Sequence, residues 1–235
     1  MPGDTKPFEI RFQPASDQSL LLYFGDRISP PTHQKIAKFL KQVSANPVAG
    51  VVNLQPAYAS VLIKFDLRTT NHDAVESAVR ERLRHIEEVK LPAPRLREIA
   101  VCYGGEFGPD LQDLAGLHGV APDEVVKLHS NATYTVYFLG FVPGFAYLGG
   151  LPEQLATPRL ATPRKAVPAG SVAIGGSQTG VYPASTPGGW RIIGRTPHRL
   201  FDPSEAHASF FELGDEVRFR PISGETFVRM ATQSR

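Results

Sequence analysis

The chain has 235 residues, of which 42 % are apolar and 20 % charged, and it carries a formal net charge of +2. This composition is globular and fits one large domain or two small ones; it excludes a disordered chain and gives no basic excess for general nucleic-acid or membrane-surface binding. The single cysteine, Cys102, excludes an intramolecular disulfide framework and a cysteine-rich zinc site.

No signal core opens the sequence and no apolar run approaches the ~20 residues of a membrane helix, so the expectation is a soluble, cytoplasmic protein without a membrane segment. Only the ends, Met1–Lys6 and Ala231–Arg235, read as disordered. Residues 7–92 read as two similar ββα units. Phe8, Ile10 and Phe12 alternate with polar neighbours as a half-buried strand, and Leu20–Phe24 returns as a second. Pro30 and Pro31 introduce a helix with Ile36, Phe39, Leu40 and Val43 at helical spacing. A strand around Val51–Leu54 leads to another with Val61, Ile63 and Phe65. Asn71 then caps a helix striped by Val75, Val79, Leu83 and Ile86, with Glu76 placed to pair with Arg80. The predicted result is an antiparallel sheet with both helices on one face.

Leu91-Pro-Ala-Pro-Arg95 reads as a stiff linker. Residues 96–230 are expected to form a closed or nearly closed β-barrel, with helical material confined to one insertion. Its strands include Arg97–Tyr103, Tyr134–Phe138 and Glu216–Arg220, and two short helices occupy Pro109–Leu117 and Pro122–His129. The whole is an α+β chain. The two helices imitate a helix-turn-helix spacing, but Lys127 is their only cation, so they read as helices packed on the barrel and no nucleic-acid partner is expected.

Gly140–Pro203 is the unusual stretch: eleven glycines and nine prolines in 64 residues rule out helix, yet apolar residues run through it. Ordered, turn-rich β structure is the reading. No Walker loop, nucleophile elbow or paired metal-ligand motif occurs, so no metal site is expected. Cys102 lies in a strand context that suits packing more than nucleophilic catalysis.

Within the stretch, Arg159, Arg164, Lys165, Arg191, Arg195 and Arg199 face only Glu153 and Asp202, so it is +4 while the rest of the chain sums to −2. Such arginines form either a solvated surface or a fork-shaped site for carboxylate or phosphate. The candidate ligand-binding residues are Arg159, Arg164 and Arg195, with Gln178 and Thr179 as neutral polar neighbours or a hairpin turn. His129 is a sixth candidate, read either as structural or as a proton carrier. Phe141, Phe145, Tyr147 and Trp190 read either as barrel core or as a partner-facing aromatic patch.

The strings Phe138-Leu-Gly-Phe-Val-Pro-Gly-Phe-Ala-Tyr-Leu-Gly-Gly-Leu-Pro152, Pro158-Arg-Leu-Ala-Thr-Pro-Arg164 and Val167-Pro-Ala-Gly-Ser-Val172 resemble the allophanate hydrolase subunit 1 family. So do Gln178-Thr-Gly-Val-Tyr-Pro183, Pro187-Gly-Gly-Trp190, Ile193-Gly-Arg-Thr-Pro197, Leu200-Phe-Asp-Pro203 and Tyr103-Gly-Gly-Glu-Phe-Gly-Pro-Asp110. That family includes KipI kinase-inhibitor proteins and the B subunit of bacterial 5-oxoprolinase. The resemblance implies a cyclophilin-like barrel behind a small α+β domain. It also implies two partners, a KipA or allophanate hydrolase subunit 2-type subunit and a third 5-oxoprolinase subunit. Such a complex uses ATP to open 5-oxo-L-proline to L-glutamate, and the chain is expected to be inactive alone. The alternatives that the resemblance carries are inhibition of a sensor histidine kinase and service in a urea carboxylase or allophanate hydrolase system.

Overall fold

A computed structural model of the chain describes residues 9–233. It divides into two compact units at Ala93 and Pro94.

In the first unit, β1 (Arg11–Ser16), β2 (Ser19–Tyr23) and α1 (Pro30–Ala45) are followed by β3 (Val51–Pro56), β4 (Ser60–Phe65) and α2 (His72–Arg84). The expected ββα-ββα order is present, and its antiparallel sheet runs β1-β2-β4-β3. Side chains alternate across a strand, so Leu20 and Leu22 share one face with their partners Ile63 and Val61. That face buries Ile36, Phe39 and Val43 of α1 together with Val75 and Val79 of α2, which puts both helices on the same side. Ser29 caps α1 by accepting the Thr32 N–H, and Pro30 and Pro31 occupy the first turn, where no amide donor is needed. Asn71 caps α2 as expected, accepting the Ala74 N–H at 2.9 Å. Phe8, the first residue of the expected alternation, lies outside the described residues.

The second unit contains β5 (Leu96–Tyr103), α3 (Leu111–His118), α4 (Pro122–Asn131), β6 (Tyr134–Leu139), β7 (Ala146–Gly149), β8 (Arg164–Val167) and β9 (Ser171–Gly175). After these come β10 (Gln178–Val181), β11 (Thr186–Gly188), β12 (Arg191–Arg195), β13 (Glu216–Pro221) and α5 (Gly224–Gln233). Seven strands close a barrel in the order β10-β7-β6-β13-β5-β12-β9, while β8 and β11 pair with each other outside it. Every barrel pairing is antiparallel except that of β5 with β13. The interior is filled by Ile99, Val101, Val136, Leu148, Val172, Ile174, Val181, Ile193 and Phe219. Leu114 of α3 and Val125 of α4 are fully buried in the same cluster, so these helices are fixed by packing on the barrel. Ala231–Gln233, expected to be disordered, continue α5; the other residues of that expectation, Met1–Lys6 with Ser234 and Arg235, lie outside the described residues. Among the described residues no helix is long and apolar enough to cross a membrane.

Candidate functional site

The pleat of the barrel wall sorts the glycine- and proline-rich segment into two faces. On β7, Ala146 and Leu148 point inward while Tyr147 packs outside; on β9, Val172 and Ile174 are inside and Ala173 outside. On β10, Val181 faces the interior and Tyr182, next in the chain, packs outside. Each face carries different chemistry.

Inside, α4 delivers His129 from its last turn into the barrel. The Tyr103 hydroxyl lies 2.8 Å from His129 Nδ1, and His129 Nε2 lies 2.9 Å from the Thr179 hydroxyl. Thr179 donates its one proton to the Ala173 carbonyl at 3.0 Å. Nε2–H must therefore donate to Thr179, and Nδ1 accepts from Tyr103. Burial depresses the His129 pKa to about 3, so the ring is neutral. Phe219 stacks on the imidazole at 4.6 Å, and the His129 backbone carbonyl accepts the Tyr134 hydroxyl at 2.8 Å. His129 and Thr179 are thus brought together, but both are fully buried with their polar atoms satisfied by the protein. The two form an internal polar link within the barrel, the structural alternative for His129.

Outside, Phe145, Val167, Ala173, Tyr182, Trp190 and Ile192 form a second apolar cluster on the barrel wall. Glycine explains how it fits. A Cβ on Gly175 would lie 2.5 Å from the Trp190 indole and one on Gly180 3.1 Å from it, so the ring packs against a wall that the missing side chains leave open. Of the four aromatics assigned to a partner-facing patch, Phe145 and Trp190 are buried and Tyr147 is half-buried. Phe141 alone is exposed, at 59 %. The first two are core, because the bare glycine wall gives them more contact than solvent does. The four still gather: Phe141 stands 5.5 Å from Phe145, and Phe145 stands 4.9 Å from Tyr147 and 5.7 Å from Trp190.

Two predicted arginines reach this outer cluster. The exposed Arg159 guanidinium carbon lies 5.7 Å from the Trp190 ring centroid. Arg164 Nη2 donates to Asp110 Oδ1 at 2.6 Å, while Asp110 Oδ2 accepts the Ile192 N–H at 2.6 Å. Both cations act on one group: burial pushes the Tyr182 hydroxyl pKa up, and the Trp190 backbone N–H, Arg159 and Arg164 pull against it. Arg195 instead donates Nε–H to the Ala169 carbonyl at 2.8 Å. Gln178 is half-buried where β10 leaves the Gly176-Ser177 turn, whose Gly176 has φ +65°. Cys102 is buried and its thiol pKa is raised by that burial, then by Glu106, which suits packing. Among the described residues no group of three or more His, Cys, Asp or Glu side chains is placed to hold a metal ion. Residue-type reasoning passed over Tyr103, Asp110 and Tyr182, although all three lie within the strings that carry the family resemblance.

Residues 10–211 match the family model described as carboxyltransferase domain, subdomain C and D. The chain belongs to that carboxyltransferase family. It is 39 % identical over 230 residues to the B subunit of 5-oxoprolinase from Bacillus subtilis, covering 93 % of this chain and 96 % of that one. The crystal structure of TTHA0988 superposes with a TM-score of 0.78 at 31 % identity, over 89 % of this chain and 40 % of the other. This carboxyltransferase-type chain therefore spans well under half the length of that structure. The urea carboxylase of Kluyveromyces lactis shares the fold, with a TM-score of 0.79 at 18 % identity over 100 % of this chain and 24 % of that one.

Proposed function

We propose that the chain is the B subunit of an ATP-dependent 5-oxoprolinase, acting with a KipA or allophanate hydrolase subunit 2-type subunit and a third subunit to open 5-oxo-L-proline to L-glutamate. The observation that carries this reading is the 39 % identity, over 93 % of the chain, to a protein named as the B subunit of 5-oxoprolinase. The chemistry explains why such a complex consumes ATP. A lactam carbonyl is resonance-stabilised; transfer of a phosphoryl group to its oxygen makes the ring carbon electrophilic enough for water. Cationic groups stabilise both the substrate carboxylate and the transferred phosphoryl group. The outer face of the barrel supplies cations of that kind in Arg159 and Arg164, while the interior polar chain is closed to a ligand by burial.

Complementation tests this role in the cell. A bacterial strain lacking its own B subunit regains growth on 5-oxo-L-proline as nitrogen source when it expresses this chain. Expression of the folded chain without any restored growth overturns the reading.

A further inference from the structure

We propose that Phe141 and Arg159 form one binding surface on the outside of the barrel for a small flat ring bearing a carboxylate, with the Arg164–Asp110 pair fixed beside it. The identity of the ring as 5-oxo-L-proline rests on the functional reading above; the site itself rests on the geometry of Phe141, Arg159 and Tyr182.

Phe141 is held in a conformation its own stability does not favour. The Val142 N–H donates to the Gly140 carbonyl at 2.8 Å, closing a γ-turn around Phe141, whose φ is +67°. It is the one non-glycine residue with positive φ among the described residues. That backbone state is strained for any residue with a Cβ. Its ring is also 59 % exposed, so burial does little to offset the strain. A glycine would relieve the turn, and the neighbours Gly140 and Gly144 show that the loop accommodates glycine. An exposed, strained aromatic beside an aromatic floor marks a contact made with something other than this chain.

Arg159 complements it. Thr157 and Gly176 exchange both backbone hydrogen bonds, at 3.0 and 2.8 Å; the Leu160 N–H donates to Gly189 O at 2.7 Å; and Arg191 Nε–H donates to Pro158 O at 3.2 Å. The residues on both sides of Arg159 are therefore pinned, and an exposed cation stands on a fixed backbone. The ordering cost of this backbone is met before any ligand arrives. Among the described residues Arg159 has no ion-pair partner. Arg164 differs: Asp110 offsets its charge, and its Nη1 is buried with no hydrogen-bond partner. Arg159 thus supplies the free charge and Arg164 a held donor.

Tyr182 links the two sides. Its ring is 6.5 Å from Phe141, and its hydroxyl lies within the electrostatic reach of both arginines. A guanidinium binds carboxylate in two-point fashion, and an aromatic ring takes a flat apolar body. Together they select a ligand that has both.

Trp190 is the chain's sole tryptophan and lies 5.7 Å from Arg159, so its fluorescence reports on the site. The full chain is titrated with 5-oxo-L-proline, with 2-pyrrolidinone, which has the ring without the carboxylate, and with inorganic phosphate, which has charge without a ring. The expected result is a saturable response to 5-oxo-L-proline, with both other probes weaker by about tenfold or more. Arg159→Gln abolishes the preference for the carboxylate. Phe141→Gly weakens the 5-oxo-L-proline response while leaving the thermal unfolding temperature undiminished. No saturable response to 5-oxo-L-proline, tighter binding of phosphate, or wild-type titration by Arg159→Gln overturns the site. Two outcomes separate the site from the function. Glutamate formation by the assembled complex with an unchanged KM for Arg159→Gln removes the site and keeps the function. Arg159-dependent binding to a chain whose complex makes no glutamate keeps the site and removes the function.

Discussion

His129 Nε2 and Thr179 Oγ1, fifty positions apart in the chain, meet at 2.9 Å inside the barrel, and both residues are fully buried. Burial keeps the imidazole neutral, and with Nε2–H donating to Thr179 the bare Nδ1 accepts the Tyr103 hydroxyl.

Acid stability follows from this arrangement. The His129 pKa is held at about 3, below its ordinary value of 6.5. The unfolded chain therefore takes up the proton first, and stability falls as pH drops from 6.5 toward 3. The slope from this one group is about 1.4 kcal/mol per pH unit. Urea unfolding across that window should show it in the wild type and not in His129→Gln. His198, also lowered by burial and then by Arg220, acts in the same direction in both proteins, so the difference isolates His129. Parallel losses in the two proteins would contradict a neutral buried imidazole.

The indole-on-glycine packing gives a second expectation. Trp190→Ala costs about 3–5 kcal/mol, and Gly175→Ala costs about 1–3 kcal/mol by overpacking. The double variant should cost less than the sum, because the methyl added at position 175 enters space the indole has left. Additive losses in urea unfolding would show that the two positions are independent.

Asp110 serves Arg164 with one oxygen and the Ile192 N–H with the other. Asp110→Ala should cost about 2–4 kcal/mol, because it leaves both donors unmet. Asp110→Asn keeps an acceptor for the amide and should cost roughly half as much. Stability of Asp110→Ala equal to wild type in urea unfolding would show that neither donor depends on this carboxylate.

Cys102 offers a simple chemical check. Its thiol is buried and its pKa raised, so the native chain should resist alkylation that the urea-unfolded chain undergoes readily. Fast labelling of the native protein would place the thiol at the surface.

Periodicity made much of the fold legible. Leu20, Val61, Ile63 and the α1 and α2 stripes bury the sides that their spacing indicates. The density of glycine and proline correctly marked Gly140–Pro203 as turn-rich β structure, and its strings pointed to the family. What spacing could not give was facing. Thr179 and Gly180 are adjacent, yet one hydrogen-bonds inside the barrel while the other makes room for Trp190 outside. A one-residue step reverses the face, and glycine-rich strands carry too few side chains to set that parity by pattern. The six candidate ligand residues therefore appeared as one group, although the fold puts His129 and Thr179 inside the barrel and Arg159 and Arg164 at the outer cluster. The pairing of β8 with β11 outside the barrel was likewise hidden, since it depends on which faces the barrel wall leaves open. Phe141 stood out as an aromatic in sequence, but only the structure, through its positive φ and its exposure, distinguishes it from the buried Phe145.

The most direct measurement is glutamate formation from 5-oxo-L-proline and ATP by purified, recombined subunits, with this chain supplied or omitted. ATP-dependent glutamate is expected in the complete mixture, none from this chain alone, and none when it is left out. Undiminished turnover in its absence would contradict the assignment.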